Sequence, residues 1–124
     1  MHNLWRHTGK IMTGIGIFHV ILFIGLFYQV AWDMLRSGAF NTVGQDAERG
    51  LFWYDGMFTG LLMILLGLLM TSWTSTTGRP VPRYLAITLV VAGVVLIAVD
   101  PVSGGWLILI AGVLSLLRPA EPGR

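Results

Sequence analysis

The sequence contains no cysteine, and only 11% of its residues are charged. The first absence excludes a disulfide framework, a thiolate zinc site, an iron–sulfur cluster and a cysteine nucleophile. The second stands against about 25% in an ordinary soluble domain. It excludes a soluble globular enzyme, a nucleic-acid reader and a disordered chain. No phosphate loop, nucleophile elbow or HExxH motif is present. What the chain has instead is 55% hydrophobic residues and 16 glycines in 124 residues, a length that allows one domain. The net charge of +2 is too small to indicate a partner. These features point to a small integral membrane protein.

Four apolar runs carry that expectation. Residues 11–32 hold one His, one Gln and no formal charge, and residues 51–73 are interrupted only by Asp55. Residues 84–99 and 102–117 are uncharged. Crossing the ~30 Å hydrocarbon core takes about 20 helical residues. The first two runs meet this, and the last two fall short at roughly 24 Å each. Local thinning of the bilayer or snorkelling would supply the rest. A membrane barrel needs about eight or more alternating strands, whereas these runs are continuously apolar, so backbone satisfaction in lipid leaves helices. The expected fold is an all-α bundle of four transmembrane helices, over about 11–35, 50–73, 84–99 and 102–117, in one domain.

Charge sets the expected orientation. Arg6, Lys10, Arg79, Arg83, Arg118 and Arg124 share one side if all four segments span, with Arg36 and Arg49 on the other. The positive-inside rule puts both termini in the cytoplasm. Asp33, Asp46, Glu48, Asp55 and Asp100 then gather at the outer side, with Glu121 inside. Aromatic residues follow the same map, with Trp5, Trp73 and Tyr84 at the inner boundary and Tyr28, Trp32, Trp53, Tyr54 and Trp106 at the outer one. The first run is longer than the usual core of a signal peptide and no Ala-x-Ala site follows, so it reads as retained.

Gly56-Met-Phe-Thr-Gly60 is a GxxxG, continued by Gly67. Small residues let helices approach closely in lipid, either inside one protomer or across a homo-oligomer through glycine-rich helix faces. Asp100-Pro101 reads as an N-cap followed by proline at the first helical position. Asp46 would cap a helix running on into Leu51, and Asp33 would pair with Arg36.

Asp55 is the first candidate for chemistry, because a carboxylate within a membrane helix is a functional candidate by default. It would accept a proton or anchor a ligand in an outward-opening cavity; alternatively it is a first-turn acid, or a partner of Arg49 or Arg36. His19 lies too far along its helix for a direct dyad with the outer acids. It would sit opposite Met63, Gly67, Gly93 and Ala111 or Gly112, as a neutral ring bonded to a backbone carbonyl or a water. Haem through His19 is the least favoured reading: one His can serve as an axial ligand, but there is no second buried His and only Met63 is a conceivable partner. His2 and His7 alone make no metal site, and none is expected. Gln29, Asp33, Trp53, Tyr54, Asp55, Asp100, Ser103 and Trp106 would line one outer-leaflet pocket, with aromatic walls and a few polar groups.

The segments Gly14-Ile-Gly-Ile-Phe-His19, Gly50-Leu-Phe-Trp-Tyr-Asp-Gly56 and Pro101-Val-Ser-Gly-Gly-Trp106 resemble a family of small uncharacterised bacterial four-helix membrane proteins. The resemblance covers nearly the whole chain. It implies the fold and a bacterial inner (cytoplasmic) membrane location, and it brings no activity and no catalytic residues. A looser similarity to DoxX-like proteins is architectural. Small multidrug-resistance transporters differ, because their first-helix carboxylate falls where this chain has His19.

The leading expectation is a protein that binds a lipophilic small molecule or lipid between its helices. The polar end of the ligand would lie toward Asp55, Asp33 and Trp53. Membrane lipids are the other expected partners, and nucleic acid is not one. The alternatives are an intramembrane isomerase or cyclase using Asp55, Asp33 and His19 in acid–base chemistry, and a structural subunit of a membrane complex.

Overall fold

The computed structural model describes residues 4–39, 41–101 and 104–117. Among them every regular element is helical and none is a strand. A 3₁₀ turn at Leu4–Arg6 leads into α1 (Thr8–Leu26) and α2 (Tyr28–Arg36). After a loop come α3 (Ala47–Gly50), a π-helical segment (Leu51–Phe58) and α4 (Thr59–Thr77), which form one continuous helix, Ala47–Thr77, of 31 residues. Last are α5 (Arg83–Val99) and α6 (Gly105–Leu116). Thr8–Leu26 and Ala47–Thr77 are long and apolar enough to cross a membrane, while α5 and α6, at 17 and 12 residues, are shorter apolar helices.

Several boundaries differ from the expected ones. The first expected helix is divided at Phe27, whose φ of −117° and ψ of 31° lie outside the helical region. The ladder nonetheless continues across it, with Phe27 N–H donating to Phe23 and Ala31 N–H donating to Phe27. The second helix begins earlier and ends later than the apolar run. Asp46 caps its start, accepting from Arg49 N–H at 3.0 Å. At its end Gly78, with φ of +63°, returns its N–H to Thr74. Glycine adopts that left-handed conformation without the steric cost a Cβ would bring.

Asp100-Pro101 does not start the last helix. Asp100 is extended (φ −140°, ψ 97°) and ends α5, as the ring of a following proline demands. Gly104 precedes α6 instead. Trp106 Nε1–H donates to the Pro101 carbonyl at 3.0 Å and holds this turn. The expected Asp33–Arg36 pair is also absent, because the Arg36 guanidinium lies over the Trp32 ring, 5.1 Å from its centroid. His2, Val102, Ser103, Arg118, Glu121 and Arg124 lie outside the described residues.

The chain forms two compact units, Thr13–Leu65 and the pair of segments Met1–Met12 and Leu66–Arg124. In the second of these, α5 and α6 form an antiparallel hairpin closed by glycines. A Cβ on Gly93 would stand 2.6 Å from Leu109 N, and one on Gly112 would stand 2.7 Å from Val90 N. Gly9 lies as closely on Thr71 and Gly67. Met12, Met70, Val81 and Ala111 are buried there, and so is the Thr8 hydroxyl, which donates to the Trp5 carbonyl.

In the Thr13–Leu65 unit, α1 runs antiparallel to the helix that follows the loop. A Cβ on Gly16 would meet Ile64 N at 2.7 Å and Gly60 O at 2.9 Å. Cβ atoms on Gly60 and Gly56 would each come within 2.5 Å of a side-chain atom, Val20 Cγ2 and Phe23 Cδ1 respectively. The GxxxG of the sequence therefore faces α1 within the same chain, and its glycines permit backbone contact.

Candidate functional site: a histidine against a π-helical turn

The buried positions of the long helix explain the π-helical segment. Phe52, Gly56 and Gly60 are buried at steps of four, whereas Gly60, Met63, Gly67, Met70 and Thr74 alternate three and four. Alternating steps suit an α-helix. Repeated steps of four overshoot its turn by about 40° each. The wider π turn absorbs that drift, and so keeps Phe52, Gly56 and Gly60 on one face against α1.

Widening the turn has a chemical consequence. In a π-helix each N–H reaches five residues back, and in an α-helix four. Thr59 N–H is shared between the Gly56 and Tyr54 carbonyls, and the Thr59 hydroxyl donates to Tyr54 as well, at 2.9 Å. The Asp55 carbonyl thereby loses Thr59 N–H, the donor that an α-helix would give it. An apolar environment makes such an orphan expensive, at about 1–3 kcal/mol.

His19 fills the gap. Its Nε2 lies 2.7 Å from the Asp55 carbonyl oxygen. A carbonyl only accepts, so Nε2 carries the proton and donates. The ring lies beside Gly60, where a Cβ would stand 3.4 Å from His19 Cδ2, an ordinary contact. Phe23 packs on the ring with centroids 4.8 Å apart, and Phe27 stacks on Phe23 at 5.7 Å. The expected position opposite Met63 and Gly67 is therefore displaced by about a turn, to Gly60 and Asp55. The helices start and end differently from the apolar runs, and this shifts their pairing.

The other candidates are placed as follows. Asp55, Trp53, Tyr54, Gln29 and Asp33 are all exposed in the Thr13–Leu65 unit. Gln29 donates to the Tyr28 hydroxyl at 3.2 Å. Neither arginine neutralises Asp55: Arg36 sits on Trp32, and Arg49 donates to the Thr42 carbonyl at 2.8 Å. Asp100 and Trp106 are also exposed and belong to the other unit.

No acid–base dyad forms between Asp55 and His19, since the contact runs through the main chain. Asp33 stands 14 residues from His19, about 21 Å along the helix axis. Haem ligation through Nε2 would require breaking the bond to Asp55. Among the described residues no group of three His, Asp or Glu side chains is arranged to hold a metal ion.

Residues 3–122 match the family described as Family of unknown function (DUF6463). The chain belongs to this family. DUF6463 carries no assigned activity, and its match brings no link to DoxX-like proteins. No curated protein and no solved structure matches the chain.

Proposed function

We propose that this DUF6463 protein is a four-span protein of the bacterial inner membrane, with both termini in the cytoplasm. It binds a lipophilic small molecule or lipid beside its π-helical turn. The membrane reading draws on the surfaces of the two long helices. Only 17% of the apolar window in Thr8–Leu26 and 28% of that in Ala47–Thr77 is buried, too little for core helices of a soluble domain. Hydroxyls along the helices are satisfied by their own backbone, as lipid requires. Thr71 donates to Gly67, Thr88 to Tyr84 and Ser115 to Ala111, each at 2.8 Å.

The observation that carries the binding reading is the state of Asp55. It is exposed on the π turn between exposed Trp53 and Tyr54, and its carboxylate has no hydrogen-bonded or ionic partner among the described residues. A carboxylate held within a membrane span is costly, and a ligand head group compensates it. Aromatic neighbours with a few polar groups suit an amphiphile. The acid–base reading has less support, because no second titratable side chain meets Asp55.

The test is thermal unfolding of the protein in phosphatidylcholine nanodiscs with added diacylglycerol, phosphatidylglycerol or a long-chain alcohol. At a hundredfold excess over Kd, binding stabilises by about 2.7 kcal/mol. At least one of these ligands is expected to raise the midpoint for the wild type, and to do so less for Asp55→Asn, which keeps the main-chain carbonyl for His19. Equal shifts in wild type and variant, or none with any ligand, would overturn the reading.

A further inference from the structure

We propose that the ligand head is a neutral hydroxyl, received by Nδ1 of His19; this rests on the binding reading above and specifies its chemistry. With Nε2–H committed to the Asp55 carbonyl, Nδ1 of the neutral ring is a hydrogen-bond acceptor and nothing else. Nδ1 has no partner among the described residues. It is not enclosed either: the buried side-chain nitrogen or oxygen lacking a partner there is Trp5 Nε1, and His19 is partly exposed. His19 stands about 16 Å from the start of α1 and about 10 Å from its end, well inside the span. An accessible acceptor at that depth meets hydrocarbon unless a donor arrives.

The nearby groups narrow the donor's chemistry. The Asp55 carboxylate also accepts, so both polar groups of the site select a head that donates. A cationic amine would pair with Asp55, but at this depth, shared with His19, it brings a charge that costs about 2.5–3.5 kcal/mol at the centre of the core. A hydroxyl is far cheaper to desolvate once it is hydrogen-bonded. Phe23 on α1 and Phe27 at the break that follows it, stacked outward from the imidazole and both partly exposed, offer an apolar strip for the rest of the molecule. The matching ligand is a long-chain alcohol, or a lipid whose head ends in a free hydroxyl.

Hexadecanol and its methyl ether, methoxyhexadecane, are the probes, added to the protein in phosphatidylcholine nanodiscs, whose own lipid has no hydroxyl donor. The alcohol is expected to bind about threefold to tenfold more tightly than the ether, the range of one net hydrogen bond. That preference should vanish in His19→Gln, whose amide keeps a donor near the Nε2 position and loses the acceptor at Nδ1. In wild type with nitrogen-labelled histidine, the His19 Nδ1 resonance should move with the alcohol and not with the ether. This measurement stands if the variant fails to fold. Equal affinity for alcohol and ether, an unmoved Nδ1 resonance, or absence of alcohol binding would each overturn the hydroxyl assignment. An Asp55-dependent shift with another lipid would leave the broader binding reading intact.

Discussion

Adding one methyl group at three glycines should give three different answers. Gly14→Ala places its Cβ in open space, with nothing within 4 Å. The expected effect is neutral to stabilising by up to about 1 kcal/mol, the difference in helix propensity between glycine and alanine. Gly16→Ala, two residues on, drives a methyl to 2.7 Å from Ile64 N and 2.9 Å from Gly60 O. Both neighbours are backbone atoms of the facing helix, so relief requires moving α1 and α4 apart. Overpacking of this kind costs about 1–3 kcal/mol, more than the propensity gain. Gly60→Ala meets Val20 Cγ2 at 2.5 Å, the end of a side chain, and Gly16 O only at 3.3 Å. Its cost should be intermediate and largely recovered by adding Val20→Ala, which removes the clashing methyl. Unfolding midpoints in mild detergent, read by tryptophan fluorescence, would rank the variants. Equal destabilisation at Gly14 and Gly16, or no recovery in the double variant, would refute the argument that backbone contact decides the outcome.

Two further outcomes follow. Asp46→Ala removes the carboxylate that accepts from Arg49 N–H, and should cost about 1 kcal/mol. The loss should appear as faster hydrogen exchange at Ala47–Gly50 before any change in the global midpoint. For topology, the natural absence of cysteine makes single-cysteine labelling clean. A cysteine at Gly104 should react with an impermeant maleimide from outside the cell, and one at Arg79 only after lysis. Labelling at Gly104 only after lysis would mean that the α5–α6 hairpin does not cross, leaving two spans.

Much of the helical layout was legible because apolar run length and loop composition report it directly. The cap at Asp46 was legible too, since an acid before a helical run has one local use. The GxxxG was legible as a contact but not as to its partner, because glycine spacing is the same whichever helix faces it. The division at Phe27 and the π-helical segment left little trace. Both lie in stretches that are apolar nearly all round, so no polar stripe marks the turn. One faint signal existed, the four-residue steps from Phe52 to Gly56 to Gly60 followed by alternating steps. For His19, depth left a backbone carbonyl or a water as the partner, and the carbonyl is what it meets. Depth could not give the residue, because the orphan arises from a helix defect. The start of α6 was misplaced because proline after Asp100 fits a first helical position and an extended linker equally well.

The extra residue accommodated near Asp55 is absorbed within the widened turn, so the helix on its outer side keeps its rotational phase. Each residue of an α-helix turns the chain by about 100°. Deleting one residue between Leu51 and Phe58 would let the segment close into ordinary α-helix. Phe52 would then stand seven α-helical residues before Gly60, about 20° short of two full turns, and would keep its face while Thr59–Thr77 kept its seat. Homologues that lack this one residue would keep the outer face but return the Asp55 carbonyl to the helix ladder, and so take away the acceptor that holds His19.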